Sequence, residues 1–307
     1  MRKLKFYLEE ANLFTEFVNN NMDFSSTTKE ECDVIISSSF PVGIFNKKEI
    51  QKKIDSYKNE KKLVVIFMIS DNESKFQLYP NIVLFRTSLK KSKRDWREYV
   101  LPYIWECFSE PLEALEKTEK PIIGFCGSIK KNLGKRLSCI ETIQKNEKLI
   151  SNFILRTDFW GGKPQDKQLK EDFKKNIKTS HFNLSNRGRG NFSMRFYQVL
   201  SLGRIPVLLD SDMLLPFEEE INWNRYCITA KNENELSSAI TAWWQNKSAQ
   251  DVIEVQKDCY TLFQNYFTEK KFANKAMEII SERFENYDPN AKINDSLWTT
   301  FLSRLKL

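Results

Sequence analysis

The chain reads as an α/β protein built on parallel sheets, and three observations predict this. Short apolar runs suited to strands alternate with amphipathic stretches of helical length along most of its 307 residues. Residues 205–209, Ile-Pro-Val-Leu-Leu, are apolar throughout, as a strand buried on both faces of a parallel sheet must be. Apolar residues make up 41% of the chain and aromatics 13%, enough for a large core and, at this length, for two domains.

In the first part, the apolar runs predict strands over 3–7, 33–37, 62–69 and 82–86, with helices over 47–57 and 96–108. The hydrophilic stretch 109–120 contains Pro111 and is closed by Pro121, so it reads as a linker. In the second part, a strand at 122–126 leads through the turn Gly127-Ser128 to a helix beginning near Gly134. A strand at 152–156, the loop Trp160-Gly161-Gly162 and a helix at 168–177 follow. After a strand at 226–229 the chain is predicted helical over 233–245, 249–266 and 269–287. This gives an N-terminal domain at 1–115, a C-terminal domain at 116–286, and a closing helix at 287–307. Leu297, Trp298, Phe301 and Leu305 form that helix's apolar face, expected to pack back on the N-terminal domain.

The segment 181–228 is the most informative. It reads as an apolar strand, a Gly/Arg loop, an amphipathic helix and a second apolar strand ending in acid. Ser193 is the expected N-cap, because its hydroxyl can accept from a free N–H of the first turn. Phe196, Val199 and Leu200 share one buried face, with Phe196 assigned to packing, and Gly203 supplies the left-handed residue that ends a helix. Gly188 and Gly190 let the backbone approach a ligand, and Asn191 follows them. Arg187, Arg189 and Arg195 bring positive charge to a helix start that favours anions. A cation there is disfavoured by the helix dipole unless an anion sits beside it, which singles out Arg195 as a ligand.

These residues carry a resemblance. Arg187-Gly188-x-Gly190, Ser193-x-Arg195-Phe196-Tyr197, Leu200-x-x-Gly203-Arg204-Ile205-Pro206-Val207, Leu215-Pro216-Phe217 and Ile221-x-Trp223 resemble the sugar-nucleotide domain of the exostosin-like glycosyltransferases. Phe85-Arg86-Thr87-Ser88 and Gly124-Phe125-Cys126-Gly127 resemble bacterial and viral members of that family. The resemblance implies a GT-B enzyme: two Rossmann-like domains with parallel sheets facing across a cleft, the nucleotide sugar held mainly by the C-terminal one, and no bound metal or other cofactor. The family usually has Glu where this chain has Gln198, in a helix whose carboxylate would contact ribose or the donor sugar. Glutamine still hydrogen-bonds hydroxyls but carries no charge. The donor is expected to be UDP-linked, as in most of the family.

Ligands of open α/β sheets bind beyond the C-terminal strand ends, so the loops there hold the candidates. After 82–86 these are Arg86, Thr87 and Ser88, then Lys91 or Lys93. Gly127 opens a loop that fails the Walker A pattern, because six residues rather than four separate it from Gly134 and Arg136 stands where a hydroxyl is required. Arg136, on the following helix, suits a bidentate diphosphate contact. Asp210 and Asp212 mimic a metal-gripping DxD pair but follow the Gly-Arg-Ile-Pro-Val segment, so no metal is assigned to them. Glu218, Glu219 and Glu220 read as a solvated run, from which one could reach a donor hydroxyl. Inverting transfer needs a base, and Asp71 and Glu73, directly after 62–69, are the candidates, with Asp158 as rival from the other domain.

Six scattered cysteines without a CxxC pair argue for reduced core thiols, and the single histidine, His181, reads as structural. The longest apolar run is too short to cross a bilayer and the basic N-terminus lacks an apolar signal region, so a cytoplasmic protein is expected. The net charge of +7 comes mostly from lysines mixed with acids along helices, and no nucleic-acid motif accompanies it. It suits an anionic donor and peripheral attraction to the inner membrane surface, where lipid-linked acceptors sit. The leading expectation, from the resemblance, is a metal-independent, inverting glycosyltransferase acting on a glycan or lipid-linked oligosaccharide in surface polysaccharide synthesis. A catalytically silent sugar-nucleotide or glycan-binding module, motivated by Gln198, is the alternative.

Overall fold

The computed structural model describes residues 3–37, 42–43, 46–130 and 135–289. The N-terminal part runs β1 (Lys5–Leu8), α1 (Leu13–Asn21), β2 (Ser25–Ser26), β3 (Val34–Ile36), β4 (Val42–Gly43), α2 (Lys47–Ser56), β5 (Leu63–Ser70), β6 (Ile82–Arg86) and β7 (Glu98–Val100). The C-terminal part runs β8 (Ile122–Ser128), α3 (Arg136–Gln144), β9 (Ile150–Arg156), α4 (Lys167–Lys178), β10 (Phe182–Leu184), α5 (Met194–Ser201), β11 (Ile205–Leu209) and β12 (Ile228–Ala230). It ends in α6 (Glu233–Gln245), α7 (Ala249–Tyr266) and α8 (Glu269–Glu285).

The described strands form two sheets, and within each sheet every strand pairing is parallel. The first has the order β2-β1-β3-β5-β6-β7, with β4 also on β5, and the second the order β12-β11-β10-β8-β9. All eight residues of β5 and all five of β11 are buried, as apolar strands covered on both faces must be. In the second sheet the chain passes from β8 to β9 on one side and then to β10, β11 and β12 on the other. Its direction therefore reverses between β8 and β10, where ligands of such sheets bind beyond the C-terminal strand ends.

Besides the short strands β2 and β4, which the sequence reading did not expect, two elements differ from it. Residues 96–108 form no helix: Glu98–Val100 pairs with β6 in the register Leu84↔Glu98 to Arg86↔Val100, and an extended segment follows. Pro102 lacks a donor for a helical bond, and Glu98 is drawn into the sheet by a buried ion pair with Arg86 at 3.0 Å. Conversely, α1 forms where no motif was legible. Asn12 caps it through a capping box with Thr15, and Phe14, Phe17 and Val18 bury its inner face.

The segment 101–121 between the sheets is irregular and lies along α7. Leu115 N–H donates to Gln256 Oε1, whose amide returns a bond to Leu115 O, both at 2.8 Å. The chain returns to the first sheet through α8, where Phe272 stacks on Phe17 at 5.9 Å and meets Phe85 edge-on at 6.2 Å. The expected closing helix at 287–307 lies, from residue 290, outside the described residues. Among the described residues no helix is long and apolar enough to cross a membrane. All six cysteines are free, and all but Cys107 are buried.

Candidate functional site

Arg195 occupies the first turn of α5 and reaches back to the reversal point of the second sheet. Its Nη2 donates to Cys126 O in β8 at 2.6 Å and its Nη1 to Leu184 O in β10 at 3.2 Å, so one guanidinium spans both strand ends. It lies 4.3 Å from the Phe125 ring centroid and is only 9% exposed. Arg136, the first residue of α3, approaches the same ring at 5.9 Å and donates to Ser128 O at 3.4 Å and Asn186 O at 3.3 Å.

Neither guanidinium meets a carboxylate among the described residues. Burial pulls Arg195 down to about 9, with the neighbouring Arg136 adding to the shift, and burial alone pulls Arg136 down to about 10. Buried charges are normally paired, and two cations bound only to carbonyls around one ring raise each other's cost. An anion with several acceptor oxygens would relieve both, and a diphosphate has the geometry for it. Arg156, paired with Asp172 at 4.0 Å, adds to the positive field on Arg195.

Two glycines fit this site by lacking a side chain. A Cβ on Gly127 would come within 2.6 Å of Arg195 Nη2, and one on Gly188 within 3.4 Å of Arg136 Nη2. Ser193 stands at the N-cap of α5 in extended conformation, yet its hydroxyl makes no cap bond, contrary to the sequence expectation. The first-turn N–H groups of α5 thus lack that acceptor.

A second cluster joins the two sheets. Gly190 is pressed onto the turn after β5: a Cβ there would meet Asp71 Oδ1 at 2.6 Å and Asp71 Cα at 2.8 Å, and would also meet Ser88 Oγ. The Ser88 hydroxyl is buried without a hydrogen-bond partner among the described residues. Asn191 accepts from Arg187 at 3.1 Å and from Ser211 at 2.7 Å. Arg187 is ion-paired with Glu73, whose other oxygen takes Lys90 at 2.8 Å. Burial pushes the Glu73 carboxyl up, but the bonds from Arg187 and Lys90 outweigh it and hold the group below the ordinary glutamate range. Glu73 is therefore a clasp across the cleft, and a carboxylate gripped by two cations is a weak proton acceptor. Asp71 has no ion pair or hydrogen bond of its carboxylate among the described residues.

Other predicted residues lie elsewhere. Asp158, beyond the end of β9, is exposed and paired with Lys130 at 2.7 Å. Arg86 does not face the cleft: it is 1% exposed, paired with Glu98, bonded to Ser74 O at 2.9 Å and laid over Phe76. Gln198 also departs from the expected ligand role, since it is buried and its amide donates to Glu106 O at 3.0 Å, fastening the interdomain segment. Asp212 is spent on the Ser92 side chain and backbone, and Asp210 accepts from Asp212 N–H at 2.9 Å. Among the described residues no group of three or more His, Cys, Asp or Glu is placed to hold a metal ion.

Asn186, Lys90 and Ser211 were not legible as site residues, since each earns its place through a partner distant in sequence. A cavity of about 540 Å³ also opens at the C-terminal ends of β11 and β12, lined by Asp210, Ser211, Glu218, Asn222 and Thr229, with Lys91 from the first sheet's side. This cavity and the arginine pair lie along the same C-terminal end of the second sheet, the first at β11 and β12 and the second at β8 and β10.

The family model of the exostosin GT47 domain matches residues 66–242, which take in both clusters and the cavity. The chain belongs to the exostosin GT47 family. Among related exostosins, Exostosin-1 of Drosophila melanogaster is 32% identical over 117 residues, covering 38% of this chain and 15% of that protein. Exostosin-1 of Bos taurus is 29% identical over 128 residues, covering 40% and 17%, and the Exostosin-1 homolog of Caenorhabditis elegans 29% identical over 111 residues, covering 36% and 28%. The match thus spans less than a third of these exostosins' own length. Two solved structures are also similar. A glycosyltransferase from Rickettsia africae ESF-5 has 12% identity and a TM-score of 0.47, covering 92% of this chain and 77% of that one. Anabaena Alr3699/HepE in complex with UDP-glucose has 9% identity and a TM-score of 0.46, covering 91% and 100%. As an exostosin GT47 chain with two parallel α/β sheets, the protein has the GT-B type of architecture that the resemblance implies.

Proposed function

We propose that the chain is a glycosyltransferase that holds a nucleoside-diphosphate sugar with the diphosphate between Arg136 and Arg195. The observation that carries this reading is the pair of guanidiniums at the reversal point of the second sheet, Arg195 buried and Arg136 partly buried, each bonded among the described residues only to backbone carbonyls. In this reading they take up negative charge as the nucleoside diphosphate departs, the main electrostatic demand of sugar transfer. Because this charge comes from the protein, the proposed transfer does not call for a divalent ion. The cavity beside Asp210 has the volume typical of a small-molecule site and would receive the rest of the donor.

Asp71 is the proposed base. It follows β5, has a carboxylate free of ion pairs among the described residues, and abuts the Gly190 turn that leads into α5. A base acting on the acceptor hydroxyl opposite the leaving group gives inversion. Uridine diphosphate is the first nucleotide to test. The proposed acceptor is a glycan or lipid-linked oligosaccharide of surface polysaccharide synthesis, met by a cytoplasmic protein at the inner membrane face, to which a net charge of +7 draws it.

The test is release of nucleoside diphosphate from UDP-sugars with a panel of glycan acceptors, with and without EDTA, for the native chain, Asp71→Asn and Glu73→Gln. Acceptor-dependent release that survives EDTA, is lost in Asp71→Asn and persists in Glu73→Gln supports the reading. Full activity in Asp71→Asn removes the base, and no release with any acceptor favours the silent binding module.

A further inference from the structure

Among the described residues the two sheets end in four edge strands, with the two-residue β4 also lying beside β5, and only one edge strand is long. The edge strands β2, β7 and β12 contain two, three and three residues, whereas β9 has seven in unbroken register with β8 from Ile122↔Ile150 to Ser128↔Arg156. Proteins blunt open edges by shortness, proline, inward charge or a bulge. β9, Ile-Ser-Asn-Phe-Ile-Leu-Arg, has no proline, no bulge and no charge before its last residue.

Its outward groups follow from the bonds it makes inward. Ile150 N–H donates to Pro121 O and Arg156 O accepts from Ile129 N–H, so the even-numbered residues direct their backbone groups toward β8. N–H and C=O alternate sides along a strand, so Ser151, Phe153 and Leu155 direct theirs away from the sheet. None of these has a hydrogen-bond partner among the described residues. The flanking side chains are among the few large apolar ones left open: Ile150 is 44% exposed, Leu155 43% and Ile154 36%.

We propose that β9 is a dimerisation edge, on which a second copy of this chain adds its own β9 in antiparallel register. A two-fold axis at Phe153 sets Phe153 against Phe153 and Ser151 against Leu155, so that every outward backbone group meets its complement. Beyond the strand ends, this register brings Lys148, in the turn before β9 and with no ion pair among the described residues, to the same end of the ribbon as the bend holding Asp158 of the other copy. The carboxylate of that Asp158 would then be shared between this lysine and its own Lys130, and the symmetry repeats the contact. A shift by two residues to a centre at Asn152 sets Lys148 against Arg156 and brings like charges together. Self-complementarity of both charge and backbone groups selects a second copy over an unrelated strand.

Sedimentation of the full chain across micromolar concentrations tests this. The native chain sediments as a dimer. Ser151→Pro removes one outward N–H at an exposed edge position, where proline is tolerated, and raises the dimer dissociation constant roughly tenfold or more with circular dichroism unchanged. Lys148→Glu, which leaves β9 itself intact, weakens the dimer several-fold, and adding Asp158→Lys restores it. A native chain that stays monomeric, or a dimer insensitive to both Ser151→Pro and Lys148→Glu, overturns the proposal.

Discussion

The Arg195 guanidinium fills the space that a side chain on Gly127 would need: a Cβ there would lie 2.6 Å from Nη2. Gly127→Ala should therefore push the guanidinium off Cys126 O and Leu184 O without disturbing the apolar core. Because the displaced atoms are the tip of a flexible side chain, the thermal midpoint should change little. Nucleotide affinity should fall about 10- to 100-fold, the worth of one charge-assisted hydrogen-bonding group. Calorimetry of the variant checks this, and unchanged affinity would separate Arg195 from the donor.

The Glu73 clasp predicts a pH response. Its carboxyl is held low in the folded state, so its contribution to closing the cleft is present above the unfolded value near 4.5 and is lost as pH falls through the folded value. Arg187→Ala removes one cation and should lower acid stability less steeply than in the native chain while raising KM more than it lowers kcat. Urea midpoints from neutral to acid pH, measured beside steady-state kinetics, test both parts.

Gln198 donates to the Glu106 carbonyl inside the interdomain junction, and a carboxylate in its place would face that oxygen unsatisfied. Gln198→Glu should cost about 1–3 kcal/mol at neutral pH, with the loss shrinking where the new acid protonates. Restored or raised transferase activity in this variant would contradict the structural role and revive the idea that Gln198 silences the chain.

What was legible in the sequence follows from what is local. The Ile205–Leu209 strand, the helices Glu233–Gln245 and Ala249–Tyr266, and the stop at Gly203, whose φ is 64°, all announce themselves within a few residues. Gly127, Arg136, Gly188, Gly190 and Arg195 could be named as site candidates because glycine and arginine at strand ends signal close approach to an anion. Arg86 was misplaced because the partner that buries it, Glu98, joins it only once β7 pairs with β6, and the same apolar residues of 96–108 also fit helical spacing. Gln198 was misplaced because a main-chain carbonyl supplied by a distant segment leaves no sequence signal.

His181 offers a second titration. Its Nδ1 accepts from Ile122 N–H at 3.1 Å, which leaves Nε2–H to donate to Glu116 O at 2.9 Å. Burial lowers its pKa against the opposing Glu116 bond, so the neutral ring is the folded form. Its stabilisation is fully present above the unfolded value near 6.5 and is lost as pH falls toward the folded value. Between about pH 7.5 and 5.5 the urea midpoint of the native chain should drop more than that of His181→Gln. Equal drops would mean that His181 does not couple protonation to the β8 and β10 junction.

The central claim is that Arg136 and Arg195 hold a nucleoside diphosphate. Calorimetric titration with UDP, GDP, dTDP and CMP, each with and without EDTA, on the native chain, Arg136→Met and Arg195→Met tests it most directly. The account predicts that one nucleoside diphosphate binds regardless of EDTA and that each variant, with its fold intact by circular dichroism, loses about 10- to 100-fold in affinity. Binding unchanged in both variants, or no binding to the native chain, would contradict it.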